Sequence, residues 1–463
     1  MMKLSLTILA ALVAVGCSTP PAIDSSRLPS IPPAFAGDGG RWTQAPPADV
    51  PASGQWWKAF GDPVLDQLVA GAIERNDRIQ VAAARLEQAR ALLRVVEARR
   101  SPVVALSAGG FRGTQPDTGP LALTTLNAGA SLSYELDVFG RIARATDAAG
   151  LDVQAREALL ASARLLIQAE VAQTYFALRA LDIETDIVRE TVTAYGDTLR
   201  LTESRYKAGD VAELDVARVR TEQATAQSQE LAIRRERADL EHALAVLVGE
   251  VASTFSLPAG PAATTVPVIP AGVPGTVLAR RPDVGAAQRQ LLAAQARVGV
   301  AQAAWFPEVQ LTASGGFASP ELGDLFKWSA RAWGIGALLS LPVFDGRREA
   351  SIAAATAEMD GALSAYREQL LVAFKDVEDQ LSSLRLLHEQ LQAEAVAVAS
   401  AGRATALSRA RYRNGFIGQL ELLDAQRNEL RSRRMETQIR GAQFQATVRL
   451  IRALGGSWEA ARD

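Results

Sequence analysis

The 463-residue sequence has one cysteine, Cys17, and two histidines, His242 and His388. A lone cysteine excludes an intrachain disulfide and a cysteine-based zinc cluster. Neither histidine has a second histidine one helical turn away, so a metal centre or a histidine-dependent triad is not expected. No catalytic residue, metal or cofactor is expected beyond a lipid described below, and an enzyme has no supporting cluster. Aromatics make up only 6% of the residues, while alanine is abundant, which suits long, closely packed helices. Charge of one sign is missing too: 49 Lys+Arg stand against 51 Asp+Glu. With no basic patch or arm, nucleic acid is not a partner. Proline is absent between Pro120 and Pro258 and again after Pro342, which leaves two very long stretches free to be helical.

The chain opens MMKLSLTILAALVAVGCSTPP. Lys3 precedes a mostly apolar run over Leu4–Val15 that is too short to span a bilayer as a mature helix. Residues 1–16 therefore read as a signal peptide. Ala14-Val15-Gly16-Cys17 resembles a bacterial lipobox, with Cys17 as the first mature residue, carrying diacylglyceryl and acyl (palmitate-type) lipid. A plain signal peptide with an incidental cysteine is the alternative. Ser18, in place of aspartate, is what the lipoprotein resemblance associates with sorting to the outer membrane. Residues 17–53 are rich in Pro, Ala, Ser and Gly without an apolar period, and read as a tether lying over a surface.

From residue 54 the chain repeats itself. Pro102-Val103-Val104-Ala105-Leu106 is echoed by Pro307-Glu308-Val309-Gln310-Leu311, an offset of 205 (307 − 102). GGF occurs at 109–111 and 315–317, LDVFGR at 136–141 is echoed by LPVFDGR at 341–347, and RYKAG at 205–209 by RYRNG at 411–415. The first repeat spans 54–250, a Pro-rich connector 251–275, the second repeat 276–456, and a tail 457–463. Helical spacing over 72–100 and 284–305 gives way to alternation. Leu126, Ala128, Ala130, Leu132, Tyr134, Leu136 and Val138 fall on one side, with Asn127, Gly129, Ser131, Ser133, Glu135 and Asp137 on the other. Strands are predicted at about 102–111, 126–139, 307–317 and 332–344. Each pair is joined by a loop of a length common on the outer side of membrane barrels.

Helical hairpins follow at 141–250 and 346–456. From Arg141 to Tyr206 a continuous helix would run on the order of 100 Å. Phe374, Val377, Leu381, Leu384, His388, Leu391 and Ala395 hold a 3-4 spacing expected of a coiled-coil seam, with His388 as its polar interruption. Four strands are too few to close a barrel, since membrane barrels begin at about eight. Open edges in hydrocarbon leave unpaired N–H and C=O groups that cost several kcal/mol each. If these strands sit in a membrane, several copies must share one barrel: two would give eight strands and three would give twelve.

The repeats, the WWKAFGDPVLDQLV opening at 56–69, the RRPDVGAAQRQLLAAQARVGVAQAAWFPEVQLTASGGF run at 280–317 and the paired RYxxG turns resemble the TolC-like outer-membrane factor family, in its lipoprotein branch. The resemblance covers the chain from about residue 54. It implies a mainly α fold with membrane β: a homotrimer with a shared twelve-stranded barrel in the bacterial outer membrane, four strands per chain, continued by a periplasmic α-helical barrel. It also implies a passive exit duct for small molecules, working with a periplasmic adaptor protein and an inner-membrane pump of the RND type. The RYxxG turns would be the periplasmic tip. Tyr206, Gly209, Asp215, Tyr412 and Gly415 would contact the adaptor, with both tyrosines available to bond across hairpins. Six and nine residues after the second turn glycine, Glu421 and Asp424 match the family's acidic constriction rings.

On residues alone, Glu421 and Asp424 read as solvated helix carboxylates, Asp424 being paired with Arg427, and it is the resemblance that favours the rings. Their first-repeat counterparts, Asp215 and Arg218, do not repeat the acidic pair, which suggests that one hairpin alone lines the narrowest ring. Trp56 and Trp57 are expected to pack around the helices, and Trp305, Trp328 and Trp333 to lie near membrane interfaces. Two further readings stay open: a duct for polypeptide secretion of the type I kind, and a lipid-anchored coiled-coil spacer that never inserts in the membrane.

Overall fold

A computed structural model describes residues 21–33, 35–36, 54–114, 122–260, 266–267, 269 and 274–456. Cys17 and the tail at 457–463 lie outside them. The chain divides into two compact units. One takes residues 1–28, 84–158 and 285–369, and the other takes 29–83, 159–284 and 370–463.

The first unit holds a four-stranded antiparallel sheet in the order β1 (Val103–Gly113), β2 (Leu123–Leu136), β3 (Glu308–Ser319), β4 (Arg331–Ser340). The register collects the apolar residues on one face. Leu106 pairs with Ala130, Leu132 with Ala313, Tyr134 with Leu311, and Ala313 with Ile335. Ser107, Asn127, Ser131, Ser133, Gln310, Thr312 and Ser314 occupy the opposite face. Leu106 is 84% exposed and Ile335 82%, so the apolar face is uncovered within the chain. Gly129 and Gly316 allow the two central strands to approach, because a Cβ at Gly316 would sit 2.4 Å from the Ala128 carbonyl oxygen.

β2 and β4 stop short of the predicted 139 and 344, β2 directly before the helix-capping Asp137 and β4 at Ser340, ahead of Pro342 and the helix-capping Asp345. The Asp137 carboxylate accepts the backbone N–H groups of Ile142 (3.0 Å) and Ala143 (2.7 Å), while Gly140 turns at φ 73°. Asp345 accepts the N–H of Arg347 at 3.0 Å and also binds its guanidinium. Pro342, without an N–H, could not have continued the ladder as a donor. The two strand-to-helix corners thus reach the same capped start by different routes.

The repeat contains a one-residue difference with a visible consequence. Pro102 to Phe111 is nine residues and Pro307 to Phe317 is ten (111 − 102 and 317 − 307). Phe111 therefore pairs with Thr125 on the small, polar face, whereas Phe317 pairs with Ala128 on the apolar one. A slip of one residue reverses the face of a strand residue.

Beside the sheet, helices α2 (Asp77–Glu97) and α6 (Pro282–Ala303) and the first turns of α3 (Arg141–Lys207) and α7 (Arg347–Arg413) complete this unit. Leu291, Ala294 and Val298 of α6 pack on Met359 and Leu363 of α7, covered by Ile23 and Leu28 of the N-terminal segment. Arg27 pairs with Asp360 at 2.7 Å, and Gln295 donates to the Pro21 carbonyl. This part of the tether therefore lies docked along two helices. Arg348 sits over the half-exposed Trp305 ring at 5.1 Å, and Trp328 and Trp333 are exposed.

The second unit contains α1 (Pro63–Arg75), most of α3 and α7, α4 (Glu213–Val248), the short α5 (Pro274–Arg280) and α8 (Gln419–Ala453). The WWKAFGDP string closes its core. Trp56, Trp57 and Phe60 are buried, Phe60 meets Phe176 at 4.8 Å, and Phe176 stacks on Phe444 at 4.8 Å. Asp62 caps α1 at Val64 and Leu65 and accepts the Tyr175 hydroxyl at 2.5 Å. Burial, with Asp62 beside it, pushes the Tyr175 phenol up to about 12. Arg281 is held by Asp283, Asp376 and the Ala453 carbonyl, which ties the start of α6 to α7 and to the end of α8. Along α7, Val377, Leu381 and Leu384 are buried, but His388 is exposed and bonded to Gln392. The expected seam is thus covered only over its first turns, and His388 is a surface residue. Among the described residues no helix is long and apolar enough to cross a membrane.

Candidate functional site

The two hairpins reverse at the RYxxG strings. In the first, the N–H of Gly209 bonds the Tyr206 carbonyl and that of Asp210 the Arg205 carbonyl, both at 2.9 Å. In the second, Gly415 bonds Tyr412 (3.1 Å) and Phe416 bonds Arg411 (2.9 Å). Both are Schellman closures, with glycine in the left-handed region at φ 82° and 73°. The motif places its arginine and tyrosine on the carbonyls being closed and its glycine where a side chain would be strained.

The side chains then diverge. Tyr206 is 45% exposed, whereas Tyr412 is 2% exposed. The Tyr412 hydroxyl lies 3.2 Å from Thr202 Oγ1 on α3, and the same Thr202 hydroxyl donates to Gln419 Oε1 on α8. Arg205 crosses from the first turn to the second. Its guanidinium lies 4.7 Å from the Tyr412 ring centre and donates to the carbonyls of Tyr412 and Arg413, each at 3.1 Å. One of the two expected tyrosine bonds between hairpins is therefore present, and it comes from Tyr412. Thr202, Gln419 and Arg205 were not singled out by sequence. Only Arg205 carried a signal, as the repeated arginine of the motif.

Asp215 lies at the start of α4, 3.6 Å from Arg218. Glu421 and Asp424 lie on the first turns of α8 and are exposed. Between them Leu422 and Leu423 turn inward, 2% and 1% exposed, so the carboxylates share the opposite face. The expected Asp424–Arg427 pair is absent. Arg427 reaches Glu222 on α4 at 3.5 Å, and Asp424 accepts only a long bond from Asn428 at 3.4 Å. Glu421 curls back over the helix start, where a Cβ on Gly418 would sit 2.9 Å from its Oε2. That position is favourable for a negative charge at a helix N-terminus. Among the described residues neither carboxylate has a cationic partner, and no cluster of three or more metal-type ligands occurs. The arrangement offers two adjacent negative charges one helical turn apart, without a cationic partner among the described residues.

The family described as outer membrane efflux protein matches residues 68–250 and 273–456, one stretch for each repeat. The solvent efflux pump outer membrane protein SrpC of Pseudomonas putida is 33% identical over 411 residues, covering 87% of each chain. The pyoverdine export outer membrane protein OpmQ of Pseudomonas aeruginosa is 33% identical over 435 residues, covering 91% of each. The solved structure of the outer-membrane channel OprN superposes with a TM-score of 0.88 at 31% identity, over 96% of this chain and 100% of that one. With its two matched repeats, its four-stranded sheet and its paired hairpins, this chain belongs to the outer membrane efflux protein family.

Proposed function

We propose that three copies of this chain close a twelve-stranded barrel in the outer membrane, forming a passive exit duct for small molecules that is gated at the RYxxG end. The observation that carries this reading is the sheet. It has one apolar face and one small, polar face, and its outer strands β1 and β4 each have a single partner. Such a sheet is stable in hydrocarbon only when its edges pair with further copies. Three chains place the polar faces around a lumen, and a larger barrel than eight strands leaves that lumen open.

Beside the second RYxxG turn, Glu421 and Asp424 supply two stacked rings of three carboxylates, which draw cations and repel anions at the inner mouth. Tyr206, Gly209, Asp215, Tyr412 and Gly415 form the surface that a periplasmic adaptor contacts, and an inner-membrane pump of the RND type delivers cargo through it. A diacylglyceryl- and acyl-modified Cys17 anchors each copy. Export of solvent and pyoverdine by relatives supports small organic molecules as the cargo. Detergent extraction should yield a heat-labile trimer that forms channels in planar bilayers. A stable monomer without channel activity would contradict the proposal.

A further inference from the structure

Within the helical unit, α3, α4 and α8 line a half-open cavity of about 360 Å³ that the duct reading leaves without a role. Its floor is Tyr195, 1% exposed, whose ring is clamped by Val219, Ala226 and Leu423. The Tyr195 hydroxyl has no hydrogen-bond partner among the described residues. Neither has Gln229 Oε1, a buried acceptor in the α4 wall. Buried polar atoms left unpaired cost roughly 1–3 kcal/mol each, so two in one cavity call for an occupant.

The walls define the occupant's charge. Three arginines, Arg427, Arg431 and Arg434, line the cavity against one glutamate, Glu222. Glu222 binds Arg427 at 3.5 Å, and Glu184 binds Arg434 at 2.5 Å. Arg431 makes no ion pair among the described residues and is exposed at the rim. A guanidinium is thus unpaired at the rim, and a phenolic O–H and a carboxamide oxygen are unpaired within the walls.

We propose that this cavity binds a small oxyanion that retains one O–H group, of the hydrogen phosphate or hydroxycarboxylate type. The anionic oxygens accept from Arg431 and Tyr195, and the remaining O–H donates to Gln229 Oε1. Burial, with Glu222 nearby, raises the Tyr195 phenol to about 12, so it remains a donor throughout the neutral range. Bound there, the anion bridges α8 to the α3–α4 hairpin.

The test is calorimetric titration of the full-length protein in detergent at neutral pH, with sodium phosphate, citrate, sulfate and chloride at matched ionic strength. Phosphate, citrate or both should saturate one site per chain, and whichever binds identifies the source of the anion. Sulfate, which has no O–H at this pH, should bind about tenfold more weakly, the equivalent of one lost hydrogen bond. Gln229→Leu should remove that preference. Arg431→Gln changes an exposed residue without an ion pair, so it should fold normally and weaken binding at least about tenfold. Tyr195→Phe should weaken it severalfold. No saturable heat with phosphate or citrate overturns the proposal. So does sulfate binding as tightly as both, or an unchanged affinity in Arg431→Gln.

Discussion

At the first RYxxG turn, Tyr206 lies half in solvent and Asp215 is held near Arg218. At the second, Tyr412 is buried on Thr202, and Glu421 and Asp424 lack a cationic partner. The backbones of the two turns are the same Schellman closure around a left-handed glycine. Duplication preserved the reversal of the chain, and the surrounding helices then assigned different work to each copy. The first turn lends its arginine to the second. Arg205 covers the Tyr412 ring and two carbonyls, while Arg411 at the equivalent position is exposed. The second turn is thus braced from both hairpins, whereas the first leaves its tyrosine exposed.

This comparison can be broken at several strengths. The largest effect is expected from Tyr412→Ala, which removes a buried ring and its hydroxyl contact and should destabilise the chain by about 3 kcal/mol. Tyr206→Ala should stay within about 0.5 kcal/mol, as for an exposed position. Denaturant midpoints of the two variants measure the difference directly, and equal losses would make the turns equivalent after all. Arg205→Ala comes next, at about 1–2 kcal/mol for its carbonyl bonds and ring contact, with Arg411→Ala near zero in the same assay. Gly209→Ala and Gly415→Ala should cost alike, about 1–2 kcal/mol each, because both glycines have positive φ and open space around them. A marked inequality there would show that the two backbones are not used in the same way.

A separate effect is alkaline. Tyr195 keeps its proton in the folded chain up to about 12, against about 10 when unfolded. Between these values the folded state binds more protons, so stability falls as pH rises from about 10 to about 12. Phenolate absorbance should show Tyr175 and Tyr195 both titrating late, and Tyr195→Phe should remove one of the two.

Much of this was legible in the sequence because it is periodic or local. Alternation in LNAGASLSYEL fixed which residues of β2 share a face, and the repeated RYxxG located both reversals. The Trp-Trp pair at 56–57, expected to pack around the helices, is buried among them. What was not legible depends on partners distant in sequence. Identical RY dipeptides end in opposite environments because Thr202 and Gln419 happen to face only the second. Arg427, one turn from Asp424, prefers Glu222 across the helix pair, a choice that spacing along α8 cannot reveal. Phe111 and Phe317 close the same GGF string, yet one missing residue before the first places it on the opposite face of the sheet. Strand ends were overrun where Asp137 looked like a further member of the alternation and instead caps a helix, and where Pro342 falls inside the predicted fourth strand.

The central claim is that the second turn alone supplies the charged constriction. Reversal potentials of single channels in a salt gradient test it most directly, comparing Glu421→Ser plus Asp424→Ser with Asp215→Ser. The account predicts that the double variant loses most of its cation selectivity and that Asp215→Ser keeps it. Unchanged selectivity in the double variant, or an equal loss in Asp215→Ser, would contradict it.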